Sequence, residues 1–128
     1  GPTEEDNIII TEFYDKLLKI IPGKDWDDAK WLLCGVEPTD SNDTSFKNII
    51  SYQWLKGDQR LLIVVNYNPK PSKAHVIINE IAYGISDWCF TDILNEKDYK
   101  YKGTDLDENG LYVELEGWKS HILRVDKM

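Results

Sequence analysis

Five consecutive branched apolar residues, Leu61-Leu62-Ile63-Val64-Val65, constrain this chain more than any other feature. The run has the length of a strand, and every position in it is apolar. It fits a strand buried on both faces of a sheet. Just upstream, Ile49 to Leu55 is strand-like, with Tyr52 and Trp54 on one side of a period-two pattern. Lys56-Gly57-Asp58-Gln59 is a tight connection, so the two segments read as a β-hairpin.

Short strands continue on either side of that hairpin. Trp31-Leu32-Leu33-Cys34 precedes it, after which Glu37 to Asn48 is rich in turn residues and reads as a loop. Asn68-Pro69-Lys70-Pro71-Ser72 breaks the chain, since two prolines do not fit a central strand. Ala74 to Ile78 and Trp88 to Leu94 are further strands. Lys97 to Lys102 is polar, with Tyr99 and Tyr101 interleaved. Asp107-Glu108-Asn109-Gly110 reads as a turn. Leu111, Val113 and Leu115 alternate with polar residues as in a half-buried strand, Gly117 turns the chain, and Ser120 to Val125 closes it. About seven short strands at this spacing predict an antiparallel sandwich or barrel.

The N-terminal segment differs. Ile9, Ile10, Phe13, Tyr14, Leu17, Leu18 and Ile21 recur at three- and four-residue steps, which predicts one amphipathic helix ended by Pro22-Gly23. Its stripe is broad. It packs either on the sheet that follows or on something larger. The expected division is therefore a helix and linker over 1–23 and a β domain over 24–128.

Composition narrows the function. The 128 residues suit one domain, and a chain of this size buries roughly two thirds of its unfolded surface. The net charge of −8 disfavours nucleic acid and anionic membrane as partners. No apolar run approaches the ~20 residues of a membrane span, and the acidic first residues do not read as a signal peptide. Cys34 and Cys89 are expected to be free thiols among apolar neighbours, which inclines the expectation toward an intracellular, cytoplasmic setting. Neither the cysteines nor the two histidines, His75 and His121, have zinc-ligand spacing. No nucleophile elbow, dinucleotide fingerprint or phosphate loop is present, so no catalytic residue, metal ligand or cofactor is assigned. Two acidic clusters, Asp25-Asp27-Asp28 and Asp105-Asp107-Glu108, lack EF-hand spacing and read as solvated turns.

The aromatic content, five tryptophans and seven tyrosines, is high. Trp31, Trp54 and Trp88 sit in apolar strands and are expected in the core. Trp118, beside Gly117, is expected to cap the end of the sheet. Trp26 lies in a polar stretch, and Tyr99 and Tyr101 would share a face of a strand. Those three are the candidates for stacking on sugar rings, whose C–H faces are apolar and flat.

Several segments together resemble the C-terminal domain of α-amylase-family glycoside hydrolases. They are Ile50-Ser51-Tyr52-Gln53-Trp54, then Arg60 to Tyr67, then Trp88-Cys89-Phe90-Thr91-Asp92-Ile93-Leu94, and finally Gly110 to Leu115 with Gly117 to Leu123. Phe13 to Leu18 resembles the last helix of the catalytic (β/α)8 barrel preceding that domain. The likeness departs at Gly117-Trp118, where relatives carry Pro-Trp or Pro-Tyr. The resemblance implies a Greek-key β-sandwich of about eight strands preceded by one helix. It also implies a non-catalytic domain that packs on and stabilises an upstream barrel, where the family's catalytic carboxylates lie. An alternative is a carbohydrate-binding module for starch- or glycogen-type glucans, and a third reading is a protein-interaction domain unrelated to sugar.

Overall fold

A computed structural model describes residues 29–78 and 82–128, together with Thr11, Asp15, Leu18 and Lys19. Those four carry helical backbone and are exposed. The rest of the predicted stripe (Ile9, Ile10, Phe13, Tyr14, Leu17 and Ile21) lies outside the described residues.

Nine strands lie among the described residues. They are β1 Lys30–Leu33, β2 Gly35–Glu37, β3 Ile49–Lys56, β4 Gln59–Asn66, β5 Ser72–Ile77, β6 Asp87–Asp92, β7 Lys97–Lys102, β8 Leu111–Leu115 and β9 Ser120–Lys127. A six-stranded sheet runs in the order β1-β3-β4-β9-β6-β7, and a three-stranded sheet in the order β2-β5-β8. Every pairing is antiparallel. Of the two architectures the strand pattern allowed, the chain adopts the two-sheet one. The last strand, β9, enters between β4 and β6, so the sheet is completed only when the C-terminus is in place.

The expected hairpin forms as read. β3 and β4 pair from Ile49↔Asn66 to Lys56↔Gln59 around Gly57-Asp58. Gly57 takes φ +58°, as the first central residue of a II′-type hairpin turn requires. The strand before it divides in two at Cys34. β1 pairs with β3 in the large sheet, while β2 crosses to pair with β5 in the small one. The Cys34 amide donates to Ser51 O at 2.9 Å, and the buried thiol sits at the crossing point.

Alternation along β3 and β4 builds two apolar layers. Leu62 and Val64 face the space between the sheets, where they join Val76, Phe90, Leu111, Val113, Leu123 and Val125. Trp54, Leu61, Ile63, Val65 and Ile122 form a separate cluster on the other face of the large sheet, with Trp31, Ile50 and Ile93 at its margin. Both faces of β4 are buried, as its sequence demands. Trp54 and Trp88 are core residues, as expected, and Trp31 is half-buried.

One local expectation is corrected. The Asp107–Gly110 turn is the end of a short helix, α1, Gly103–Asn109. Buried Leu106 anchors that helix, and Asp107 is turned aside to accept from the Tyr83 and Gly84 amides, both at 2.9 Å. Gly110, at φ +72°, ends it. Polar Lys97–Lys102 is the edge strand β7, where its charges guard an open strand edge.

Candidate functional site: an aromatic corner between two loops

The sequence-predicted sugar contacts fall as follows. Trp26 lies outside the described residues. Tyr99 and Tyr101 do share a face of β7, but it is the inward face, where both are half-buried against the inter-sheet core. Tyr101 meets Phe90 edge-on at 5.3 Å, and burial, with Tyr99 adding to it, raises its phenol pKa. With Tyr112, Glu114 and His121 they line a cleft of about 120 Å³. That is well below the ~300 Å³ at which small-molecule pockets begin.

A more exposed arrangement lies where the β4–β5 and β8–β9 connections meet. It begins with Asn66, the last residue of β4, whose side chain is fully buried. Its amide Nδ2 donates to Lys70 O at 2.8 Å, and to Leu115 O and Glu116 O, both at 3.1 Å. One side chain thus ties both loops to the end of β4. Its backbone amide donates to Lys119 O at 2.9 Å, and the Trp118 amide donates to Asn68 O at 3.1 Å. Gly117 lies against Pro69 so closely that a Cβ there would sit 2.1 Å from the Pro69 carbonyl oxygen. Only glycine permits the two loops to touch.

Tyr67 and Trp118 project from this junction. Their rings meet edge to face at 5.5 Å and 79°. Trp118 is 61% exposed and Tyr67 37%. Trp118 does not cap the sheet, as the sequence suggested, because its backbone is held at φ +61° and carries the indole outward. That left-handed conformation costs a non-glycine residue about 1–2 kcal/mol, partly offset by the ~0.5–1.5 kcal/mol of an aromatic pair. The sequence signal was present in Asn66-Tyr67-Asn68-Pro69 and Gly117-Trp118, each an aromatic residue set within turn-forming ones. Nothing local showed that the two turns would meet.

The titratable groups serve the loops and the core. Burial pushes Asp43 upward, but bonds from the Thr39 and Ser45 amides and hydroxyls outweigh it and bring its pKa to about 2. Asp92 follows the same pattern. Burial raises it, while the Asn95 side chain, the Asn95 and Leu94 amides and nearby His121 lower it on balance. Burial lowers the His121 pKa, with Asp92 at 3.8 Å opposing. Burial pushes the Cys34 thiol up to about 11. Both cysteines are free. Among the described residues no group of three or more His, Cys, Asp or Glu side chains is placed to hold a metal ion. Asp107, from one of the acidic clusters, is occupied by backbone amides, and the Asp25-Asp27-Asp28 cluster lies outside the described residues.

The fold and this corner define a class: an antiparallel two-sheet β domain presenting an exposed aromatic pair on rigid loops. No protein-family model matches the sequence, and no curated protein matches it. Solved structures do resemble the fold. A noncanonic maltogenic α-amylase from Thermotoga neapolitana superimposes with a TM-score of 0.59 at 16% identity, over 96% of this chain and 26% of that one. An α-N-acetylgalactosaminidase assignment from Bacillus halodurans gives a TM-score of 0.47 at 8% identity, over 76% of this chain and 21% of that one. At these identities the first likeness speaks for the fold, and the second carries no further weight. The chain spans about a quarter of the length of the amylase it resembles.

Proposed function

We propose that this chain is a non-catalytic C-terminal domain of an α-amylase-like glycoside hydrolase, resting on and stabilising an upstream (β/α)8 barrel. The observation that carries this reading is one of coverage. Nearly all of this chain superimposes on about a quarter of a maltogenic α-amylase, so the fold recurs there as one part of a larger enzyme. The order of sequence segments that resembles such domains supports it independently.

The second apolar layer fits the same role. A two-sheet domain complete in itself needs one apolar layer between its sheets, yet Trp54, Leu61, Ile63, Val65 and Ile122 add another on the far face of the large sheet. In this reading residues 1–23 link the sandwich, from residue 24 onward, to the barrel. Interdomain surfaces of this kind bury about 600–1,500 Å² and are partly polar. The test is to delete the residues corresponding to 24–128 from the parent enzyme and follow its thermal unfolding. A lowered melting temperature of the barrel is expected, and an unchanged one would sink the stabilising role.

A second reading, a module that binds starch- or glycogen-type glucan, is favoured by one specific feature, the exposed aromatic corner.

A further inference from the structure

We infer that Tyr67 and Trp118 form a binding site for a short segment of α-glucan, one pyranose ring lying on the Trp118 indole and the next turned against the Tyr67 ring. The inference rests on the α-glucan reading above and adds the site to it.

Four observations carry it. The first is exposure. Trp54 and Trp88 are buried and Trp31 half-buried, whereas Trp118 stands 61% exposed. The second is strain with rigidity. A non-glycine residue at φ +61° directs the indole to solvent, and the Asn66 bonds together with the Gly117–Pro69 contact hold it there. Strain of this kind is stored where the surrounding structure over-determines a working geometry. A rigid platform also avoids ordering costs when a ligand lands.

The third observation is size. With aromatic side chains covering ~150–250 Å² each, these exposures leave roughly 200 Å² of open ring surface. A stable protein interface needs about 800 Å² per partner. The corner is therefore scaled to one or two sugar rings and too small by itself for a protein partner. The fourth is shape and charge. Rings at 79° make a corner, which matches a chain whose successive residues turn, as α-linked glucose does. A flat β-linked ribbon would call for coplanar rings. The net charge of −8 favours a neutral ligand over an anionic one.

The experiment titrates the 128-residue chain with maltoheptaose and, separately, with cellohexaose, reading the indole N–H and backbone amide resonances. Saturable shifts of the Trp118 indole and the Tyr67 amide with maltoheptaose are expected, with a dissociation constant of about 1 mM. Trp118→Gly is the matched variant, because glycine accepts φ +61° without strain. It should weaken binding at least about tenfold while the other amide resonances keep their positions. Shifts confined to Trp26, or to Tyr99 and Tyr101, would overturn the assignment of the site while leaving the α-glucan reading intact. Shifts at Trp118 with cellohexaose alone would overturn the α-glucan reading. No shift with either sugar would overturn the inference and leave the barrel-supporting role standing. A Trp118 indole that is protected only in the parent enzyme would show the corner to be an interdomain contact, and would likewise overturn it.

Discussion

Replacing Asn66 tests how the two loops are held. Its Nδ2 carries two protons and serves three carbonyls at 2.8–3.1 Å, in a site closed to water. Asn66→Ala removes those bonds and strands the Leu115 carbonyl in the interior. A net hydrogen bond is worth about 0.5–1.5 kcal/mol, and a buried group left unsatisfied costs about 1–3 kcal/mol. The Asn66 Oδ1 finds no partner among the described residues, which trims the native gain. The expected loss is about 2–4 kcal/mol, or roughly 8–16 °C in melting temperature for a domain of this size. Asn66→Asp is the sharper variant. It keeps the shape but turns a donor into an acceptor facing three acceptors. Its carboxyl pKa should rise in the folded state, by desolvation and by the carbonyl dipoles. A folded pKa above the unfolded one destabilises increasingly as pH rises from the unfolded value toward the folded one. At pH 7 Asn66→Asp should therefore be less stable than Asn66→Ala, and its deficit should shrink on acidification toward pH 4. The assay is urea unfolding at several pH values, with amide exchange read at Tyr67, Asn68 and Lys70 and at residues 116–119. If Asn66→Asp lies within about 1 kcal/mol of the wild type at pH 7, these bonds do not hold the loops and the argument for a rigid corner fails.

Three further outcomes follow from the same geometry. Gly117→Ala should force the loops apart, because its Cβ would meet the Pro69 backbone rather than a side chain that can move; the ring contact between Tyr67 and Trp118 should disappear from the nuclear Overhauser spectrum, and its persistence would refute the close approach. Asp43 and Asp92 both have folded pKa values below their unfolded ones, so their stabilisation is present above about pH 4 and is lost as pH falls through the folded values, about 2 for Asp43; Asp43→Ala should flatten the acid limb of stability measured by denaturant from pH 6 to pH 2, and an unaltered limb would count against its role. Cys34, buried and with its pKa at about 11, should resist iodoacetamide in the native state while half-buried Cys89 reacts first; equal rates would contradict the placement of Cys34 at the strand crossing.

Much of the β architecture was legible because strand signals are local. Leu61–Val65 is apolar at every position, and only a sheet covered on both faces satisfies it. Gly57-Asp58 fixes the hairpin register, and Pro69 and Pro71 mark where the chain leaves the sheet. Tyr99 and Tyr101 were placed on one face by alternation alone. Which face it was depended on the edge position of β7 and on what lay opposite, and neither is written in residues 97–102. The helix Gly103–Asn109 was missed for a related reason. Its Asp and Asn content favours a turn locally, and a contact about two dozen residues away, from Asp107 to the Tyr83 and Gly84 amides, holds it in place.

The sequence by itself determined that this is an antiparallel β domain with a hairpin at its centre and an acidic surface, because periodicity, turn residues and charge are properties of neighbours along the chain. The tertiary structure decided which aromatic residues reach solvent. Asn66, Gly117 and Trp118 acquire their roles only when the ends of β4 and β8 come together, bringing residues about 50 positions apart within hydrogen-bond distance. Trp118 sits there at a backbone angle that its own sequence would not choose, and a residue expected to cap the sheet is instead the most prominent ring on the surface of the described residues.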